Sequence, residues 1–276
     1  MKLASGAHSV HSLAHHETFH PVVGPVAEAE ALYVRQTKLV ERVGQQSGDF
    51  VIWDVGLGAA ANPLTVLNAT RNICCTLCLV SFDQTLEPLR FALEHVHTLG
   101  YLSGYEDVLR ELLVKGETHF ERGPQKVQWI VKVGDFPSLL AGGCLAEMPK
   151  PHLVMWDAFS PAKNPEMWTE PVFAGLYQVL DPQRPCVLPT YSRSTMLRCT
   201  LLLAGYWVGV GHATGEKEET TVAANTPALI SEPLDARWLQ RARRSTSAEP
   251  MWEPVYRQAA LSSETWDKLR AHPQFK

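Results

Sequence analysis

Phe50-Val51-Ile52-Trp53-Asp54-Val55-Gly56-Leu57-Gly58-Ala59-Ala60-Ala61-Asn62 is the stretch that decides the fold. A nearly unbroken apolar run of this length reads as a strand buried on both faces, the pattern of a parallel sheet covered by helices. Two glycines one residue apart, followed by small residues, read as a tight turn opening a helix. Outward from this point the alternation repeats. Strands are predicted over 76–82, 127–131, 152–156, 186–190, 207–210 and 220–223, with the fifth less regular because Pro189 cannot donate to a ladder. Helices are predicted over 63–69, 86–99, 172–180 and 195–204, with an extra one over 105–114. The expected architecture is α/β, Rossmann-like: a mostly parallel seven-stranded sheet with helices on both faces.

Before this core, residues 1–49 form an extension, in which apolar positions from Val26 to Val43 recur at helical spacing and predict one amphipathic helix. Five of the eleven histidines lie between His8 and His20, without acidic or cysteine partners at a recurrent ligand spacing, so no metal site is expected. Residues 50–225 form the main domain. Residues 226–276, rich in Pro, Arg and Ser, read as a peripheral tail.

The bulk numbers bound the class. A 45% hydrophobic content over 276 residues supports a sizeable core, and no stretch approaches the length a membrane helix needs. Neither a secretory leader nor a disulfide framework is apparent in the six scattered cysteines, so a soluble cytoplasmic protein is expected. The formal charge of −4 gives no general attraction to a polyanion. Any nucleic-acid contact needs a local patch, for which Arg237, Arg241, Arg243 and Arg244, or Arg35, Lys38 and Arg42, are candidates; a solvated helix face explains either run equally well.

Ligands of open α/β sheets bind beyond the carboxyl ends of the strands, so the residues there are the site candidates. Asp54, Gly56, Gly58 and Asn62 form the first corner, where glycine lets backbone approach a ligand and Asp54 either fixes the loop or meets a cationic amino group. Asp83 ends the second strand, about where an acid accepts from ribose hydroxyls, a geometry NAD enzymes share. Asp135, beside Phe136 after the third strand, suits an adenine amino group and ring, which tilts the choice toward S-adenosyl-L-methionine; a helix N-cap before Pro137 is an equal reading. The fourth corner is Asp157-Ala158-Phe159-Ser160-Pro161: a carboxylate to accept N–H bonds and an aromatic face favouring nitrogen that gains positive charge, or a turn after a buried strand.

Trp156-Asp157-Ala158-Phe159-Ser160-Pro161-Ala162-Lys163-Asn164-Pro165-Glu166-Met167-Trp168 resembles the L-D-G-F-S/A-P-A-K-N-P-D/E-M-W run of the MnmC-like methyltransferases, which act on the aminomethyl group of a modified tRNA wobble uridine. Glu17-Thr18-Phe19-His20 with Gly24 and Glu28 is similar to that family's E-x-Y-H-x-x-x-G-x-x-x-E, and residues 54–62 to its E-T-G-F-G-T-G-L-N. Gly215-Glu216-Lys217 is a faint echo of its G-x-K-R-E. The similarity spans about residues 12–225. Departures are the alanines at 59–61, Ala158 for glycine, and the missing K-R-E-M.

The resemblance implies a class I S-adenosylmethionine-dependent N-methyltransferase. It implies Asp157 and Phe159 as catalytic residues; Asp54, Gly56, Gly58, Asn62, Asp83 and Asp135 as cofactor contacts; and Glu17, His20 and Lys163 as substrate contacts. The implied partners are tRNA and, because no second G-x-G-x-x-G is present, a separate oxidase that prepares the amine. A small-molecule amine methyltransferase, an aminopropyltransferase-like enzyme and a catalytically silent cofactor-binding protein are the competing classes.

Overall fold

The computed structural model describes residues 1–13, 15–20, 22–214 and 218–276. The motif echo at Gly215-Glu216-Lys217 lies outside them. Ten strands are present among the described residues: β1 (His11–Ser12), β2 (Glu17–Thr18), β3 (Asp49–Val55), β4 (Cys75–Asp83), β5 (Glu117–Arg122), β6 (Gln125–Val133), β7 (Leu153–Trp156), β8 (Val187–Thr190), β9 (Trp207–Gly211) and β10 (Thr220–Ala224). β1 and β2 pair as a small hairpin, and the other eight form one sheet of order β5-β6-β4-β3-β7-β8-β10-β9. β6, β4, β3, β7 and β8 run parallel, while β5, β10 and β9 join antiparallel. Strand order reverses between β3 and β7, so the crevice of this sheet opens at their carboxyl ends.

Every central strand divides its side chains between two cores. Phe50 and Ile52 of β3, Leu77 and Leu79 of β4, and Leu153 and Met155 of β7 enter one apolar cluster; Trp53 and Val55, Val80 and Phe82, and Val154 and Trp156 enter the other. This two-sided burial is why these strands read as continuous apolar runs. Leu64 and Leu67 of helix Ala61–Thr70 and Leu109 and Leu112 of helix Glu106–Lys115 cover the first face. Val172, Phe173 and Leu176 of helix Glu170–Val179 and Leu197 and Leu201 of helix Thr195–Leu203 cover the second.

Three expectations are corrected. The sheet has eight strands and not seven, because 117–122 forms a hairpin with β6, Glu117 facing Ile130 and Arg122 facing Gln125. The helix expected from Val26 to Val43 is broken: Pro25–Ala29 passes into a π-turn over Glu30–Arg35, Lys38 adopts φ 50°, and Leu39–Gln45 resumes. Thr37 Oγ1 donates to the Tyr33 carbonyl at 2.7 Å, a side-chain bond that competes with the helical ladder there. The stretch read as a peripheral tail packs into the second core through Trp238, Leu239 and Ala242 of helix Ala236–Arg243 and Leu269 of helix Ser263–Ala271. Beyond it, Gln274 accepts from Val208 N at 2.8 Å and donates to the carbonyls of Val208 at 2.7 Å and Leu234 at 2.9 Å, clasping β9.

Pro189 sits within β8, whose register with β7 is the single pair Leu153–Val187. His152, at the entry of β7, helps hold this seam: its carbonyl accepts from Arg42 Nη2 at 2.8 Å and its Nδ1 accepts from Val51 N at 3.0 Å. Arg42 is therefore structural and leaves the basic set it was grouped with. Burial first, then Arg184 and Arg42, push the His152 imidazole from its ordinary 6.5 down to about 4. The unfolded chain takes up a proton that the native imidazole refuses, so this contribution is present above pH 6.5 and is lost as pH falls toward 4. His152→Asn, whose Oδ1 can accept the same N–H, is expected to lower stability near neutrality and to show a shallower acid loss than the parent, as read by urea titration at pH 4 to 7.

Candidate active site

Gly56 ends β3 at φ 99°, a left-handed conformation that favours glycine, and a Cβ there would stand 2.8 Å from the Asp157 carbonyl oxygen. The first loop and the β7 corner thus touch through backbone. Asp157 N donates to Val55 O at 3.0 Å, and Gly56 N and Leu57 N both donate to Phe82 O, at 2.9 and 3.2 Å. Gly58, at φ 51°, donates its N–H to Asp83 Oδ2 at 2.8 Å, and its Cα is covered by the Phe19 ring. Ala60 occupies the third glycine position of the loop at φ 62°, fully buried, at the N-cap of helix Ala61–Thr70. A non-glycine residue in this region costs about 1–2 kcal/mol; the methyl group is small enough to be kept.

The expected acids lie around this loop with different partners. Asp54 is fully buried, accepts from Ser81 Oγ at 2.7 Å, and Ser81 in turn accepts from Trp129 Nε1 at 3.0 Å. Asp83 is bound to loop backbone, accepting from Gly58 N and from Thr85 N at 3.2 Å. Asp135 caps helix Phe136–Ala141 through Ser138 N at 3.0 Å and receives Gln84 Nε2 at 3.0 Å, while Gly134 N donates to Asp83 O at 2.8 Å and ties the second and third corners together.

Asp157 is where the N-terminal extension meets the sheet. Its Oδ2 accepts from Asn62 Nδ2 at 2.7 Å and lies 3.3 Å from His20 Nε2, whose Nδ1 stands 3.8 Å from Glu28 Oε2. Glu17 accepts from both the hydroxyl and the backbone N–H of Ser160. The ring of Phe159 stacks on His15 with centroids 4.0 Å apart and meets Phe19 at 5.5 Å. Its carbonyl accepts from Trp168 Nε1 at 2.7 Å, and that of Ala158 from Tyr191 Oη at 2.9 Å. All three residues of the sequence pattern Glu17, His20 and Glu28 thus converge on positions 157–160. Lys163 stands apart: its backbone N–H donates to Ser160 O, but the residue is exposed on the following loop.

Sequence reasoning passed over His15, Tyr33 and Tyr191. Tyr33 Oη is 3.5 Å from the Trp156 carbonyl, and both phenols are raised well above their ordinary range, first by burial and then by Asp157. An isolated tyrosine in a helix or after a strand carries no signal of such a place.

The residues present fit a cofactor with a cationic end. Asp54 Oδ1 and Asn62 Oδ1 are buried acceptors without a hydrogen-bond donor among the described residues, and such atoms are costly unless a ligand donates to them. An α/β sheet with its reversal between β3 and β7, a glycine turn after β3 and acids at each neighbouring corner define the S-adenosylmethionine-dependent methyltransferases as a class.

The comparisons narrow this. A family model described as S-adenosyl-L-methionine-dependent methyltransferase matches residues 105–226. The chain is 30% identical over 237 residues to the tRNA 5-methylaminomethyl-2-thiouridine biosynthesis bifunctional protein MnmC of Methylibium petroleiphilum, covering 80% of this chain and 34% of that protein. To the protein of the same description from Ralstonia nicotianae it is 27% identical over 249 residues, covering 87% and 35%. It thus spans about a third of the length of these relatives. In fold it resembles MnmC2 from Aquifex aeolicus, with a TM-score of 0.69 at 22% identity over 98% of this chain and 83% of that one. A spermidine synthase in complex with the transition-state analogue AdoDATO has a TM-score of 0.50 at 10% identity, covering 93% and 75%. Over residues 105–226 the chain is thus similar to the S-adenosylmethionine-dependent methyltransferases, and over four fifths of its length to the MnmC proteins.

Asp54 offers a direct test of the site's electrostatics. Burial raises its carboxyl to about 8, only partly offset by the Ser81 hydrogen bond. A folded-state value above the unfolded one means stability that is full below about pH 4 and lost progressively as pH rises to about 8. Asp54→Asn keeps an acceptor for Ser81 and is expected to gain stability over the parent by a margin that grows between pH 5 and 8, measured by chemical denaturation without cofactor. An unchanged margin across that range contradicts the assignment.

Proposed function

We propose that this chain transfers a methyl group from S-adenosylmethionine to the primary amine of an aminomethyl group on a modified tRNA wobble uridine. The observation that carries the reading is the meeting of Asp157 with the glycine turn, Gly56 lying against its carbonyl, while Glu17 and His20 close on the same corner. It is supported by the shared description of the curated relatives as tRNA 5-methylaminomethyl-2-thiouridine biosynthesis proteins. The cofactor, when bound, supplies an electrophilic methyl group on a sulfonium. Asp54, Asn62 and Asp83 would hold it, with Gly56 and Gly58 admitting it to the backbone and Asp135 beside it.

The protein's part is positioning and proton control. Asp157, fixed by Asn62, accepts from the amine N–H and directs the lone pair; the Phe159 ring, held between His15 and Phe19, bounds the base. Lys163, exposed beyond Ser160, would meet RNA phosphate in this reading. Arg237, Arg241 and Arg244 are exposed along one helix, without an ion-pair partner among the described residues, and offer a second phosphate contact. tRNA is the proposed partner, with an oxidase activity supplying the amine, and the cytoplasm the proposed compartment. No helix among the described residues is long and apolar enough to cross a membrane. The grouping of the acids Asp54, Asp157, Glu17 and Glu28 around His20 and Ser160 also favours a second reading, a small free polyamine as acceptor.

Asp157→Ala is expected to reduce turnover by about a hundredfold or more while cofactor affinity stays within about threefold, general-base and orienting groups being worth about 10²–10⁴. Parallel rate and binding titrations decide it, and equal loss of both refutes the assigned role. On tRNA bearing unmethylated aminomethyluridine, nucleoside analysis should show methylaminomethyl product. The slope of log(kcat/KM) against log salt should fall by about 1 for each of Arg237 and Arg241 changed to Gln. Turnover of a free polyamine, and none of tRNA, would establish the second reading.

A further inference from the structure

Glu28, His20 and Asp157 stand in sequence, carboxylate, imidazole, carboxylate, with gaps of 3.8 and 3.3 Å on the two ring nitrogens. The side chains of His20 and Glu28 are each 9% exposed and that of Asp157 14% exposed. His20 is held for this arrangement at φ 48°, a conformation that a branched or bulky L-residue adopts only when its surroundings impose it. Glu28 itself is fixed in helix Pro25–Ala29, its N–H donating to Gly24 O at 3.1 Å. Resting on the amine-methylation reading, the chemistry requires this assembly to handle one proton: an alkylammonium has no lone pair, and the amine must shed a proton before it can attack.

We propose that His20 and Glu28 form a proton path that drains Asp157, so that Asp157 takes the proton from the acceptor ammonium and passes it through the imidazole to the nearly buried Glu28. The balance is simple. The ammonium gives H⁺ to the Asp157 carboxylate and becomes a neutral amine; Asp157 returns to carboxylate as His20 Nε2 takes the proton; the imidazolium releases its Nδ1 proton to Glu28, from which it reaches water. The N–C bond then forms as the C–S bond breaks with its electron pair left on sulfur, and the product departs as a secondary ammonium.

The other groups facing the path do not compete for the proton. Tyr33, from the adjoining π-turn, and Tyr191, after β8, stay protonated because burial and Asp157 raise them well above the ordinary phenol range. Asp54, from β3, faces it from below and is itself raised to about 8, while Glu17 is engaged with Ser160. Asn62, on helix Ala61–Thr70, donates to Asp157 and does not titrate. Glu28 acts through His20 and is a positioning residue in this scheme.

Glu28→Gln in the full chain tests it with two readouts. In single-turnover methyl transfer at saturating cofactor, the rate near pH 7 should fall about tenfold or more and return to within about threefold of the parent near pH 10, where the amine is neutral unaided. Cofactor affinity should be unchanged. A loss equal at every pH marks a structural role and overturns the proposal. Independently of any RNA, the His20 ring, followed by histidine-selective NMR, should titrate at lower pH in Glu28→Gln than in the parent, by about one unit or more, since an opposite charge favours the imidazolium. No movement overturns the path whatever the substrate; a clear movement with no methylated nucleoside from the parent enzyme refutes the tRNA reading and leaves the path standing.

Discussion

The close approach of two strand ends governs this molecule. β3 and β7 are neighbours because the strand order reverses between them, and they can touch beyond their last residues only because position 56 has no side chain. A methyl group there would meet the Asp157 carbonyl at 2.8 Å, so the glycine turn after β3 and the Asp157 corner after β7 share one backbone seam. Neither can shift alone. Methyl transfer needs donor and acceptor aligned to within fractions of an ångström, and a shared seam of main chain supplies that alignment before either ligand arrives.

Around the seam the protein has concentrated conformations and charges that are unfavourable elsewhere. Ala60 and His20 both sit in left-handed backbone, and Asp54 is a fully buried carboxyl with one oxygen that has no donor among the described residues. Strain and unmatched polarity of this kind persist only when the surrounding core over-determines them, and here two cores do so, one on each face of the sheet. The aromatic stack of His15, Phe159 and Phe19 packs residues of the N-terminal extension against the same region.

Much of this was legible in the sequence, and the omissions have physical causes. Continuous apolar runs at 50–55, 76–82 and 152–156 mark strands buried on both sides, and small residues after them mark the turns. β5 escaped because an edge strand needs little apolar content: in Glu117-Thr118-His119-Phe120-Glu121-Arg122 only Thr118 is fully buried. The break at Lys38 escaped because helical periodicity continues on either side of a wider turn. Asp157 and Phe159 stood out through a dense local pattern, whereas Tyr33 and Tyr191 reach the site from positions more than 150 residues apart, which no local reading connects. Lys163, though inside that dense pattern, does not share its pocket.

The clasp that Gln274 places on β9 bears on how this sheet avoids its own kind. An edge strand exposes a row of amides and carbonyls that will accept any other strand, and β9 has its outer groups engaged by Glu232, Leu234 and Gln274. At the opposite margin β5 presents Glu117, His119 and Glu121 outward, where charge discourages pairing. One border is guarded by charge and the other by residues 273–275, so removing Gln274 would cost more than a few buried contacts: it would leave an open ladder ready to pair with another strand.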